Sequence, residues 1–312
     1  MRILITGGTG LIGRALSADL AADGHDVVVL SRAPERVQDL PNGVRAERWD
    51  ARTADGWLHL ADGADAIVNL AGANLAGTSF IPSRWTVDRK RIIRESRIQA
   101  GQAVVEAVKQ VRTKPGVVIQ ASGIGYYGFT SDERLDEDAS PGDDFLAQLA
   151  SQDWEPSTQA VEDMGVRRVI IRSGAVLDRH EGALPRLLLQ YRLFVGGPIG
   201  GGKQWISWIH LLDEVAAIRF LMERQDASGP FNLTAPEPKT NAEFGRALGR
   251  VIARPSFIPI PGFPLRWVLG EISSVVLEGQ RVIPRKLLDL GFEFRFPVAE
   301  AALKDVLGKA DS

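Results

Sequence analysis

The sequence predicts an α/β fold, a doubly wound parallel sheet with a smaller C-terminal α/β lobe, and three observations carry that expectation. Short apolar runs alternate with longer stretches of helical periodicity through the first half of the chain, the pattern of βαβ units. A glycine-rich turn stands between the first apolar run and the first helical stretch. After about residue 178 the alternation gives way to glycine and proline clusters, Gly196-Gly197-Pro198 and Gly200-Gly201-Gly202, with elements in less regular order.

Strands are expected near residues 2–6, 26–31, 44–48, 65–70, 116–121 and 167–172. Helices are expected near 11–23, 84–111 and 143–164, each with apolar residues three and four apart. Residues 1–178 then form a cofactor-binding domain to which part of the later chain returns, and 179–312 a smaller substrate or lid lobe. No low-complexity linker separates the two. Within the lobe, Thr240-Asn241-Ala242-Glu243 has capping-box spacing ahead of an apolar-periodic helix.

Composition narrows the function classes. With 37 Lys+Arg against 39 Asp+Glu in 312 residues, the net charge is −2. No basic field exists to hold nucleic acid or an acidic membrane. The absence of Cys excludes disulfides, thiolate catalysis and iron–sulfur clusters. His25, His59 and His180 lie at scattered turn-like positions, so no metal site is expected. The first residues run into the glycine turn without a signal-like apolar segment, and no apolar run approaches the ~18 residues of a membrane span. A soluble, cytoplasmic protein with a small-molecule substrate is the expectation; the sequence leaves its oligomeric state open.

The strongest site is Thr6-Gly7-Gly8-Thr9-Gly10-Leu11-Ile12-Gly13, after the first strand and opening the first helix. Gly7 permits a tight turn, Gly10 lets the backbone approach a pyrophosphate, and Gly13 allows close helix packing. The helix N-terminus, with Leu11 and Ile12 in its first turn beside Thr9, offers N–H groups to the anion. A Rossmann-type dinucleotide site is the reading. Its second strand, Asp26–Leu30, ends in Ser31-Arg32 where an acidic residue would bind the ribose hydroxyls of NAD. A hydroxyl and a guanidinium suit a 2′-phosphate, so NADP(H) is expected. Asp50, after the third strand, is read either as an adenine contact or as a loop-solvating acid. Leu70, Ala71 and Gly72 close the fourth strand with small residues that leave room for the cofactor. Arg97, chosen from the basic helix that follows, is a candidate for the cofactor phosphates or a substrate anion, and Val176 for the nicotinamide side.

These pieces resemble the extended short-chain dehydrogenase/reductase superfamily, and more closely its epimerase-family branch. Further matches are Asn69 to Gly72, Ser96-Arg97, Ser122-Gly123-Ile124-Gly125-Tyr126-Tyr127-Gly128, Trp154-Glu155, Arg172-Ser173-Gly174, Trp208-Ile209-His210, Thr240 to Phe244 and Leu277-Glu278-Gly279-Gln280, spread over nearly the whole chain. The resemblance implies an NADP(H)-type core and a C-terminal lobe closing over the substrate. It also implies a Ser or Thr, a Tyr and a Lys four residues after that Tyr. The stretch that should hold Tyr-x-x-x-Lys runs from Phe145 to Glu155 and contains neither residue.

Ser122, Tyr126 and Tyr127, after the fifth strand, remain the catalytic candidates. A phenol of ordinary pKa about 10 is only about 0.1% ionised at pH 7, so without a lysine it serves better as a proton donor than as a base. That asymmetry favours reduction over epimerisation. One tyrosine can equally be core and the other a wall of the pocket. Arg186, Lys203, Trp205 and His210 are candidate substrate contacts by position alone, while Asp213 reads as the cap of the helix through Met222. Two functions stand: an NADP(H)-dependent oxidoreductase or epimerase-like enzyme acting on a small polar carbonyl or hydroxyl compound, or a non-catalytic NADP(H)-binding sensor or partner-binding protein that has lost the Tyr/Lys pair.

Overall fold

The computed structural model describes residues 1–37, 40–77, 79–130 and 132–308. Its centre is a parallel sheet of β1 (Arg2–Thr6), β2 (Asp26–Ser31), β3 (Val44–Arg48), β4 (Ala66–Asn69), β5 (Val117–Gly123), β6 (Arg167–Ser173) and β7 (Gly229–Leu233). The spatial order is β7-β6-β5-β4-β1-β2-β3, so strand order reverses between β1 and β4. A ligand crevice opens at the carboxyl ends of the strands at such a switch point.

The apolar runs are continuous because both faces are covered. Ile3 and Ile5 pack to one side with Leu16 and Leu20 of α1 (Leu11–Ala22) and Val215, Ile218 and Leu221 of α4 (Leu211–Glu223). Leu4 and Val28 point to the other side, against Ala100, Val104 and Val108 of α2 (Val87–Gln110). Alternate residues of one strand thus serve two cores. The seventh strand escaped the sequence reading because Gly229-Pro230-Phe231-Asn232-Leu233 is short and carries both Gly and Pro; Phe231, Asn232 and Leu233 are nevertheless buried. Proline is tolerated there because β7 is an edge strand.

The expected helix over 143–164 is broken into three. Asp144 caps an α-helical turn, Phe145–Gln148, accepting from the N–H groups of Leu146 and Ala147. Leu149–Trp154 then widens into π geometry, with Glu155 N donating to Ala150 O, and Pro156–Met164 tightens into a 3₁₀ helix. Pro156 has no N–H to continue an α-helical ladder, so the register changes at Glu155.

The later chain builds its own core from Leu184, Leu188 and Tyr191 of or beside α3 (Leu184–Arg192), Phe244 and Leu248 of α5 (Asn241–Val251), and Leu303 of α6 (Ala299–Gly308). The capping box of α5 is complete: Thr240 Oγ1 accepts from Glu243 N, and Thr240 N donates to Glu243. Two short parallel pairings join the halves of the chain, Ala175–Leu177 with Trp208–His210 and Arg134–Leu135 with Arg281–Val282. No described helix is long and apolar enough to cross a membrane.

Candidate functional site

The glycine turn is built by exclusion of side chains. Gly7 has φ 66°, and a Cβ there would lie 2.7 Å from the backbone of Leu70. One on Gly13 would lie 2.5 Å from Gly7 O and from Gly8 Cα, so the helix enters against the bare turn. At Gly10 the nearest atom is 3.3 Å away, leaving one face of the backbone open. Helix α1 starts there with no side-chain cap, so its first N–H groups have no side-chain acceptor at the terminus. A cavity of about 370 Å³ lies over the turn, lined by Gly7, Gly10, Leu11, Ile12 and Gly13, by Leu70, and by Ala175, Val176, Gly182 and Ala183. A helix N-terminus free of side chains beside apolar walls fits the pyrophosphate and ring of a dinucleotide.

Polar side chains stiffen the sheet edge behind it. Thr6 Oγ1 donates to Asn69 Oδ1 at 2.6 Å, Asn69 Nδ2 to Gln120 Oε1 at 2.8 Å, and Ala71 N to Thr6 Oγ1 at 3.2 Å. All three side chains are fully buried. Ala71 is thereby fixed in the core, while Thr9 is exposed at the tip of the turn. At the end of β2, Ser31 Oγ accepts from Ala33 N. Arg32 is exposed and forms no ion pair among the described residues, and its carbonyl accepts from Arg48. Asp50 accepts from the N–H groups of Arg52 and Thr53 and so organises its own loop.

The catalytic candidates stand at the end of β5, and the structure separates them. Ser122, 5% exposed, donates to Glu155 Oε1 at 2.7 Å. Glu155 is held by Arg172 at the end of β6 through two hydrogen bonds, Nε to Oε1 at 2.8 Å and Nη2 to Oε2 at 2.9 Å. Burial alone would lower the guanidinium's pKa, but these bonds and the carboxylate charge override it and hold Arg172 above its ordinary value. Its Nη1 donates to the Tyr127 hydroxyl at 3.1 Å, and that hydroxyl donates to Asn232 Oδ1 at 2.7 Å. Tyr127 is 2% exposed, and burial pushes its phenol up to about 12. It is a buried strut, which removes it from the catalytic candidates. Tyr126 differs: its ring lies 3.4 Å beneath the Arg172 guanidinium, it is half-buried, and its hydroxyl makes no hydrogen bond among the described residues.

The model of the NAD dependent epimerase/dehydratase family matches residues 3–234. The chain belongs to that family. A domain of unknown function, DUF1731, matches residues 260–306. Epimerase family protein YfhF of Bacillus subtilis is 38% identical over 308 residues, covering 98% of each chain, and epimerase family protein SDR39U1 of Bos taurus is 38% identical over 98% of this chain and 100% of its own. The crystal structure of human epimerase family protein SDR39U1 with NADPH superposes at a TM-score of 0.87 with 35% identity, covering 99% of this chain and 100% of that one.

As a family member the chain keeps the Rossmann sheet and glycine turn, while the broken helix carries Glu155 in a stretch without Tyr or Lys. Four other expectations change. Arg97 does not line the turn cavity: it is 6% exposed, donates through Nη1 to the carbonyls of Ala73 and Ile93 at 3.0 Å, lies 4.5 Å over Trp154, and packs against Gly72. Burial, helped by the charge of Arg89, lowers it to about 10. It braces the loop after β4. His210 does not face the pocket; its Nδ1 caps α4 by accepting from Leu212 N at 3.0 Å, and its ring stacks on Phe296 at 4.0 Å. Asp213, expected as that cap, instead accepts from the N–H groups of Arg295 and Phe296. Arg186 ties α3 to the preceding turn and to the loop after β4 through the carbonyls of Gly182, Ser79 and Phe80. Lys203 is exposed, and Trp205 Nε1 donates to Asp132 while Arg281 covers its ring at 4.3 Å.

Sequence reasoning missed Glu155, Arg172 and Asn232 as a site. Two signals were available: Arg172 is a charge after the apolar run Val169-Ile170-Ile171, and Trp154-Glu155 and Arg172-Ser173-Gly174 are both among the pieces that carry the family resemblance. Glu214 was missed as well. It is fully buried in the first turn of α4, accepts from Ser173 Oγ, and burial pushes it up to about 8.

Proposed function

We propose that the chain binds NADP(H) over the glycine turn and reduces a carbonyl group of a small polar metabolite, with Tyr126 as the proton donor. The bare turn at Gly7, Gly10 and Gly13, the apolar walls Leu70 and Val176, and the Arg32 guanidinium, which has no ion-pair partner among the described residues, support the cofactor half. The human relative solved with NADPH, similar over its whole length, supports it too. When bound, NADPH supplies a hydride to a carbonyl carbon.

The chain's own residues then supply position and a proton. Leu11, Ile12 and Gly13 offer their helix terminus to the pyrophosphate, and Arg32 with Ser31 takes the 2′-phosphate. The observation that carries the reaction class is the contrast between the tyrosines: the Tyr126 hydroxyl has no partner in the described chain, whereas Ser122, Glu155, Arg172 and Tyr127 hold one another. Both Glu155 oxygens are taken by Arg172, and one also receives Ser122, so this carboxylate is poorly placed to remove a substrate proton. A free phenol beneath a guanidinium is suited to donating one to a carbonyl oxygen that gains negative charge. Arg186, donating to the carbonyl of Gly182, positions one wall of the cavity.

Titration of the purified protein with NADPH and NADH, with Arg32→Ala alongside, tests the cofactor: a preference for NADPH lost in the variant is expected, and binding of neither nucleotide overturns the reading. A carbonyl screen with Tyr126→Phe and Tyr127→Phe tests the acid. Turnover falls in Tyr126→Phe by about 10²- to 10⁴-fold, the usual worth of general-acid catalysis. No turnover of any carbonyl alongside tight NADPH binding favours the second reading, a nucleotide sensor, which the missing Tyr/Lys pair supports.

A further inference from the structure

A second cavity, of about 180 Å³, opens toward the C-terminal end of α3, lined by Arg179, Leu188, Arg192, Ile252, Arg254 and Leu307. Three arginines meet three aliphatic side chains there, with no carboxylate among the described residues of the lining. The acids on the same elements are engaged elsewhere: Asp178 accepts from the N–H groups of His180 and Glu181, Glu300 pairs with Arg250 and Lys304, and Asp305 faces His210. None of the three arginines has an ion-pair partner among the described residues.

Two of them are nevertheless held in place. Arg179 Nη1 donates to Leu307 O at 3.2 Å, and Arg254 lies 4.1 Å over the Phe194 ring. Arg192 ends α3, where the helix carbonyls favour a cation. Two helices end beside this cavity. Of the three non-glycine residues with positive φ in the described chain, two flank this cavity: Phe194, at 60°, beneath Arg254, and Ala253, at 51°, directly before it. Each is the left-handed residue of a helix-terminating turn, Phe194 N donating to Tyr191 O and Val195 N to Gln190 O, Ala253 N to Arg250 O and Arg254 N to Gly249 O, so two helix ends fix the chain around the hollow. Three like charges around one hollow repel each other until an anion enters.

We propose that Arg179, Arg192 and Arg254 form a second binding site, for the phosphate of a phosphomonoester whose short apolar end rests on Leu188, Ile252 and Leu307. Planar guanidiniums match phosphate oxygens in pairs, and a phosphomonoester offers three such oxygens and up to two charges. The same chemistry occurs in soluble metabolites and in the headgroup of phosphatidic acid.

The test titrates the full-length protein by calorimetry with hexyl phosphate, inorganic phosphate and hexanol, and measures flotation with phosphatidylcholine vesicles with and without phosphatidic acid. Hexyl phosphate is expected to saturate a site more tightly than inorganic phosphate, with no binding of hexanol. The combined Arg179→Gln, Arg192→Gln, Arg254→Gln variant is expected to lose at least about tenfold in affinity, the scale of one charge-assisted contact, with an unchanged Tm. Capture only by vesicles containing phosphatidic acid, abolished in the variant, also supports the site and identifies a lipid source. Binding of equal strength in the variant belongs to the glycine turn and overturns the proposal, as does the absence of saturable binding to either source.

Discussion

The glycine-turn cavity and the Ser122 cluster share one edge of the sheet and are built by opposite means. The cavity is made of backbone and small residues contiguous in sequence, and its groups are left open. The cluster is made of long side chains from β5, the broken helix, β6 and β7, and its groups close on one another. Open backbone suits a ligand that brings its own charge; a closed network of ions suits rigid placement of one free group, here the Tyr126 hydroxyl.

The sharpest test of the contrast is Arg172→Met. It strands Glu155 in a buried site, and loss of one partner of such a pair costs about 3–5 kcal/mol, read from the denaturant midpoint. A loss of less than about 1 kcal/mol would mean that water reaches the pair and the cluster is not closed. In the cavity the corresponding change is Gly13→Ala, whose Cβ has no room beside Gly7 and Gly8. A stability loss of about 1–3 kcal/mol is expected, together with loss of NADPH binding out of proportion to it.

A third test uses pH. Burial raises Glu214 to about 8 and raises Glu137 and Asp213 in the same direction. Such acids hold their protons more tightly in the folded protein than in the unfolded chain, Glu214 most of all. Their stabilising contribution is therefore greatest at low pH, and stability falls as pH rises from the ordinary carboxylate range toward about 8. The fall is expected to be on the order of a few kcal/mol, and Glu214→Gln flattens most of it in thermal melts between pH 5 and 8.5. An unchanged slope in that variant places the dependence on other groups. The smallest effect separates the tyrosines: Tyr127→Phe costs about 1–3 kcal/mol by leaving Asn232 and Arg172 short of a partner, while Tyr126→Phe leaves the melting curve unchanged.

Legibility followed the same division. The six strand positions, the glycine turn and the capping box at Thr240 were readable because each depends on neighbours within a few residues. The cluster was not. Arg172 and Glu155 are 17 residues apart and Tyr127 and Asn232 are 105 apart, and no periodicity links such positions. His210 and Asp213 show how proximity misleads: three residues apart, they read as a pair or a cap, yet the imidazole took the cap while the carboxylate reached 82 residues along the chain to Arg295. The helix over 143–164 is interrupted for a local reason, Pro156, which has no N–H to continue the ladder.

The sequence by itself determined the βαβ order, the site of the glycine turn and the absence of a Tyr-x-x-x-Lys pair, since these are matters of residue type and short spacing. The tertiary structure alone decided which tyrosine is free, which arginines are braces and which acids are buried. Those outcomes depend on which distant side chains meet when the strands are laid side by side, and burial sets the protonation and partners of each group only after they have met.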